Sequence, residues 1–86
     1  MVTLYVLKGE NSKRYVGITN DLSRRIKEHR LKKSKGGQLL NDFVLLFTEE
    51  FPDYASARSR EKFFKSGQGR KWLDNWEQGS ESARGG

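Results

Sequence analysis

Two runs of period two, Thr3 to Lys8 and Arg14 to Thr19, separated by the turn-forming Gly9-Glu10-Asn11-Ser12, constrain this chain more than any other feature. In the first, Leu4 and Val6 share one face while Tyr5 and Leu7 share the other. In the second, Val16 and Ile18 oppose Tyr15 and Gly17. Two such strands joined by turn residues should pair as an antiparallel hairpin. If their aliphatic faces coincide, the tyrosine faces coincide too, and two phenols come to lie on one side of the sheet.

Thr19-Asn20-Asp21 offers good N-cap residues, and a helix is expected from there to about Lys35. On a helical wheel Leu22, Ile26, His29 and Lys33 fall within one arc with Arg25 at its edge, so His29 should point inward beside Arg25. The third apolar run, Phe43 to Phe47 with Phe51 beyond, is short and rich in aromatic and aliphatic residues. It suggests the buried central strand. Pro52-Asp53 should stop it and open a second helix, in which Ala57, Glu61 and Phe64 share a face. The elements then run β-β-α-β-α-α: an α+β fold with a small three-stranded antiparallel sheet flanked by helices, in one domain over residues 1–77. From Gln78 to Gly86 the residues are small and polar, the composition of a flexible tail.

A carboxylate on a core-facing position needs a reason, because burying an unpaired charge costs several kcal/mol or more. Glu61 could pair with Arg60, Arg58 or Arg25, or it could hold a divalent cation. The formal net charge of +6 is unevenly placed. Between Leu22 and Lys35, Arg24, Arg25, Lys27, Arg30, Lys32, Lys33 and Lys35 face the single Glu28. Between Ala55 and Lys71, Arg58, Arg60, Lys62, Lys65, Arg70 and Lys71 face only Glu61. Such helices are either solvated surface or the attraction for a phosphate backbone.

Taken together, Thr3-Leu4-Tyr5, the stretch from Tyr15-Val16-Gly17 to Glu28-His29, and Ala57-Arg58-Ser59-Arg60-Glu61-Lys62 followed by Lys65-Ser66-Gly67-Gln68-Gly69-Arg70 resemble the GIY-YIG nuclease superfamily, over about residues 3 to 77. The likeness is to its short stand-alone bacterial members, related to the excision-repair nuclease domain. The resemblance implies a GIY-YIG endonuclease-like fold and metal-dependent hydrolysis of phosphodiester bonds. By it, the active-site tyrosines are Tyr5 and Tyr15, the arginine Arg25, the histidine His29 and the metal-binding glutamate Glu61. Family members commonly place an asparagine after the glutamate helix, for which Asn75 is the nearby candidate; the first motif's glycine and isoleucine are replaced by Thr3 and Leu4.

The chemistry agrees. Phosphodiester cleavage needs an activated water, a cation where charge accumulates and a proton for the leaving oxygen. The remaining acids sit at caps, turns or exposed faces, so one metal is the economical reading. With Glu61 as sole carboxylate ligand, water and phosphate fill the shell, which suits Mg2+ or Mn2+. Arg25 would hold the phosphate. Tyr5 is the preferred proton acceptor, with Tyr15 and His29 positioning water or phosphate. The expected partner is DNA, structured or branched, contacted by Arg24, Lys27, Arg30, Lys32, Lys33, Lys65 and Arg70, with low sequence specificity in the absence of a recognition domain. A protein partner could add selectivity.

Other readings are weighed against this one. A non-catalytic nucleic-acid-binding module, acting on DNA or RNA, could keep the fold and the basic helices, and a small interaction module could use them on an acidic protein. Lys65-Ser66-Gly67-Gln68-Gly69-Arg70 lacks the rest of a P-loop, so no nucleotide cofactor is expected, and a C-cap at Gly67 is the plainer explanation. Trp72 and Trp76, one turn apart, could stack on bases or seal the core, and the core is favoured. There is no cysteine, which excludes thiolate metal sites and is compatible with a reducing, cytoplasmic setting, and the single histidine excludes a His-rich zinc site. No apolar run has the length of a membrane span, and no signal peptide is expected.

Overall fold

The computed structural model describes residues 1–10, 12–31 and 42–85, with side chains described up to Gln78. Strands β1 (Val2–Gly9) and β2 (Arg14–Thr19) are followed by helix α1 (Leu22–Arg30), strand β3 (Phe43–Phe51), helix α2 (Tyr54–Lys65) and helix α3 (Gly67–Gly85). The helical backbone of α3 passes Gln78, where composition placed the start of a tail. α1 ends at Arg30 with Leu31 as its C-cap; the expected continuation to Lys35, with Lys32 and Lys33, falls outside the described residues.

The hairpin forms in the register that the alternation requires. Leu4 pairs with Ile18 and Val6 with Val16, while Tyr5 pairs with Gly17 and Leu7 with Tyr15. Ser12 makes the turn with φ at 67°, a left-handed conformation that a residue with a side chain adopts at some cost.

The sheet is antiparallel with order β2-β1-β3, which corrects the expectation for the third strand: β1 is central and β3 is an edge. Leu4, Tyr5, Val6 and Leu7 are all completely buried, as a strand covered on both faces must be. β3, by contrast, leaves Val44 59% and Leu45 44% exposed. Its apolar run is continuous for a different reason, a bulge. Val6 pairs with Phe47 but Leu7 pairs with Leu45, so Leu46 is the extra residue and the strand's faces exchange there. Phe43 therefore lies with Tyr5 and Leu7, whereas Phe47 and Phe51 lie with Leu4 and Val6. Without the bulge Phe43 and Phe47 would point the same way.

Each face of the sheet has its own cover. Leu4, Val6 and Val16 pack against Phe64 of α2 and Leu73 of α3, with Trp72 beside them. Trp72 lies 5.2 Å from the Phe64 ring and Trp76 4.8 Å from Phe47, so both tryptophans serve the core. On the other face Tyr5, Leu7 and Phe43 pack with Tyr15, Leu22 and Ile26.

The helix ends follow local chemistry. Asp21 accepts from the Arg24 amide at 3.1 Å and Asp53 from the Ser56 amide at 2.8 Å, as their positions before apolar-periodic segments predict. The α2–α3 junction corrects the expected glycine cap. Ser66 is the C-cap of α2, and its hydroxyl also accepts from the Gly69 amide at 3.2 Å. The glycine that matters is Gly69: a Cβ there would run into the Phe63 carbonyl oxygen and Phe64 Cα, so its bareness lets α3 close onto α2.

Ion pairs tie α3 to the hairpin. Glu77 receives Lys8 at 2.9 Å and also Arg14, which reaches Asp74 at 2.5 Å. Burial would raise the Glu77 carboxyl; the two cations outweigh it and hold the group below its ordinary value.

Candidate active site

Tyr5, Tyr15, Arg25 and His29 meet on the α1 side of the sheet. The Tyr5 hydroxyl lies 3.0 Å from His29 Nε2, and Arg25 Nε donates to the same oxygen at 3.3 Å. The two tyrosine rings are 6.3 Å apart, and Tyr15 meets His29 edge-on at 5.1 Å. This arrangement depends on the register, which sets Tyr5 directly opposite Gly17. A Cβ on Gly17 would touch the Tyr5 hydroxyl, lie 2.6 Å from its Cζ and 3.1 Å from Tyr15 Cε1. The phenol of the central strand thus lies across a bare backbone toward the β2 edge. Gly17 has a role that its place opposite the first tyrosine could have revealed.

The protons can be placed by counting donors. Tyr5 accepts from Arg25 and is fully enclosed, so its single O–H must donate to a neighbour, and His29 Nε2 is in position to accept. His29 is then neutral with its proton on Nδ1. Its ionisation agrees: burial lowers the His29 pKa, the charge of Arg25 lowers it further, and Glu28 only partly offsets them. Burial raises the pKa of Tyr5 despite the opposing Arg25 hydrogen bond. Arg25 is held still more firmly as a cation, first by its bond to Tyr5 and further by Glu28 and Tyr15. Glu28 contacts it at 3.3 Å, a partner that the three-residue spacing on one helix made visible. One third of the Arg25 side chain remains exposed, leaving N–H donors for a ligand.

Glu61 arrives from the other side. Its helix packs Ala57 and Phe64 against the opposite sheet face, as the wheel predicts, and the Glu61 side chain stays 19% exposed. None of the three arginines considered from sequence is its observed partner. Lys65 donates to it at 3.2 Å, while Arg60 binds Glu49 at 3.1 Å and lies over Phe63, Phe64 and Trp72. Two features relate α2 to the tyrosines. Glu61 is the least of the influences that raise the Tyr5 pKa, after burial and Tyr15. Lys65, one turn further along, lines a cavity of about 490 Å³ together with Tyr15. Lys65 and Tyr15 thus share the β2 edge, where the Tyr5 ring overhangs Gly17.

Among the described residues no group of three or more His, Cys, Asp or Glu side chains could hold a metal. A single partly exposed carboxylate fits a hard, largely hydrated cation such as Mg2+ or Mn2+, which keeps most of its waters and takes one or two protein carboxylates. Of the basic residues expected to meet nucleic acid, Arg24, Lys27, Arg30, Lys65 and Arg70 are exposed, and Arg30 also lies 5.2 Å over the Phe43 ring. Asn75 is exposed on α3.

Tyr5, Tyr15, Arg25 and His29 thus form one cluster in a small α+β domain. Residues 1–74 match the model of the GIY-YIG catalytic domain, and the chain belongs to that nuclease family. Its fold is similar to the solution NMR structure of the UPF0213 protein BH0048 from Bacillus halodurans, with 28% identity and a TM-score of 0.55, covering 88% of this chain and 85% of that one. No curated protein matches the chain. Among the described residues no helix is long and apolar enough to cross a membrane.

Proposed function

We propose that this chain is a metal-dependent endonuclease that hydrolyses DNA phosphodiester bonds with low sequence specificity, in repair or processing of structured DNA. The observation that carries the reading is the Arg25–Tyr5–His29 hydrogen-bond chain beside Tyr15; Glu61, on α2, is assigned to the metal by the family resemblance. Arg25, cationic at any working pH, holds the phosphate through its exposed donors and offsets charge as it builds on the phosphoryl oxygens. Glu61 is the residue that would hold Mg2+ or Mn2+, and the ion when bound lowers the pKa of water and neutralises charge at the reacting phosphate.

The exposures divide the work between the phenols. Tyr5 has no solvent contact and a raised pKa, so it keeps its proton and orients Arg25 and His29. Tyr15 is half-buried beside Arg25 and can meet water. In this reading Tyr15 relays the attacking water's proton, accepting it as its own phenolic proton passes to bulk water, while neutral His29 goes on accepting the Tyr5 hydrogen bond. The site roles of Tyr5, Tyr15, Arg25, His29 and Glu61 and the backbone contacts of Arg24, Lys27, Arg30, Lys32, Lys33, Lys65 and Arg70 belong to the proposal.

Plasmid nicking in Mg2+ or Mn2+ tests it, with Glu61→Gln as comparison. The expected result is nicking by the wild type that a chelator abolishes and Glu61→Gln loses by at least about a hundredfold while still binding DNA. Equal nicking by both proteins, or none by either, contradicts the proposal.

A further inference from the structure

The cavity of about 490 Å³ at the β2 edge has a composition that the cleavage chemistry does not need. Its floor is apolar, from Val16, Phe64 and Leu73, and Tyr15 stands in its wall. Its rim carries Lys13, Arg14, Lys65 and Arg70. Of these, Arg14 is already held by Glu77 and Asp74, so Lys13, Lys65 and Arg70 carry the rim's charge.

A flat, largely apolar group bearing acceptor atoms and joined to anions meets all of these features at once, and a nucleotide is such a group. The volume lies within the range of small-ligand sites. A base stacked inside a continuous duplex could not reach the floor, whereas an unpaired base enters without having to be unstacked. We infer that this cavity receives an unpaired nucleotide adjoining the scissile phosphate, so that the preferred substrate is nucleic acid with an extrahelical or single-stranded nucleotide beside the cut. Tyr15 belongs both to the catalytic cluster and to the cavity wall, which sets the nucleotide next to the phosphate at Arg25; the inference rests in this respect on the nuclease reading.

Fluorescence anisotropy in the presence of a chelator tests binding without cleavage. Three labelled duplexes of one sequence are compared: continuous, with a single extrahelical adenine, and with an abasic residue at the same place. The adenine bulge is expected to bind about tenfold more tightly than the continuous duplex, the scale of burying and stacking one base. The abasic bulge should lose that gain. Arg70→Glu, which puts a negative charge on the rim, should reduce it to less than about threefold. Equal affinity for the continuous and adenine-bulged duplexes overturns the inference, as does a gain that survives removal of the base, because the protein would then be reading a kink. Nicking is scored separately: a protein that prefers the adenine bulge but never cleaves in Mg2+ or Mn2+ supports the cavity and refutes the nuclease reading.

Discussion

Gly17→Ala adds one methyl group at the most confined point of the site. Its Cβ would lie 2.6 Å from Tyr5 Cζ, against about 3.5–4.0 Å for an ordinary carbon contact, so ring and backbone must separate by about 1 Å. Tyr5 is held at 3.0 Å from His29 and 3.3 Å from Arg25, and a shift of that size cannot preserve both bonds. Overpacking of this kind costs about 1–3 kcal/mol, which for a domain of this size lowers the melting temperature by roughly 4–8 °C per kcal/mol. Misplacing catalytic groups by about 1 Å costs on the order of a hundredfold in rate. Initial nicking rates below the variant's melting transition, with circular dichroism melts alongside, measure both effects. If the loss passes through Tyr5, Gly17→Ala combined with Tyr5→Phe should nick no more slowly than Tyr5→Phe alone. A Gly17→Ala protein that melts with the wild type and nicks within threefold of it would refute the reasoning.

Other outcomes follow from the same structure. The His29 pKa is lowered on folding, so the unfolded chain binds the extra proton; stability is present above about pH 6.5 and falls as pH drops through that value, by at most about 1.4 kcal/mol per unit. Denaturant titrations between pH 7 and 5 should show this slope in the wild type and a shallower one in His29→Gln. Arg25→Lys keeps the charge but loses the fork that binds Tyr5 and Glu28 together, and nicking should fall by about a hundredfold or more with duplex affinity little changed. Glu77→Gln leaves Lys8 and Arg14 without their shared anion and should lower unfolding free energy by about 1–2 kcal/mol, whereas Asp74→Asn, at a carboxylate 58% exposed, should change it by less than about 0.5 kcal/mol. Ser12→Gly should stabilise the hairpin turn by about 0.5–1 kcal/mol in the same titration, since the residue holds φ at 67°.

The hairpin was readable because period two leaves a single register that buries both aliphatic sets, and that register alone sets Tyr5 against Gly17 and Tyr15 two residues away. The caps at Asp21 and Asp53 and the inward turn of His29 were legible for the same reason: each depends on neighbours within one helical turn. β3 was not, because a bulge at Leu46 exchanges its faces and produces a continuous apolar run that imitates a doubly buried strand. Long-range choices were also hidden. Nothing local tells Arg60 to take Glu49 and the aromatic rings while Glu61 takes Lys65, or Glu77 to gather Lys8 and Arg14 from the hairpin. Likewise Lys65-Ser66-Gly67-Gln68-Gly69-Arg70 shows its glycines, but only the approach of α3 to Phe63 and Phe64 shows that Gly69, not Gly67, is the one the fold requires.

Paramagnetic broadening by Mn2+ tests most directly whether one cation at Glu61 faces the phenols across the β2 edge. In a proton NMR titration at low Mn2+, the ring resonances of Tyr15, Tyr5 and His29 should broaden ahead of those of Trp76 and Tyr54, and Glu61→Gln should abolish the selectivity. Broadening that spares the tyrosine and histidine rings, or that persists unchanged in Glu61→Gln, would contradict the account.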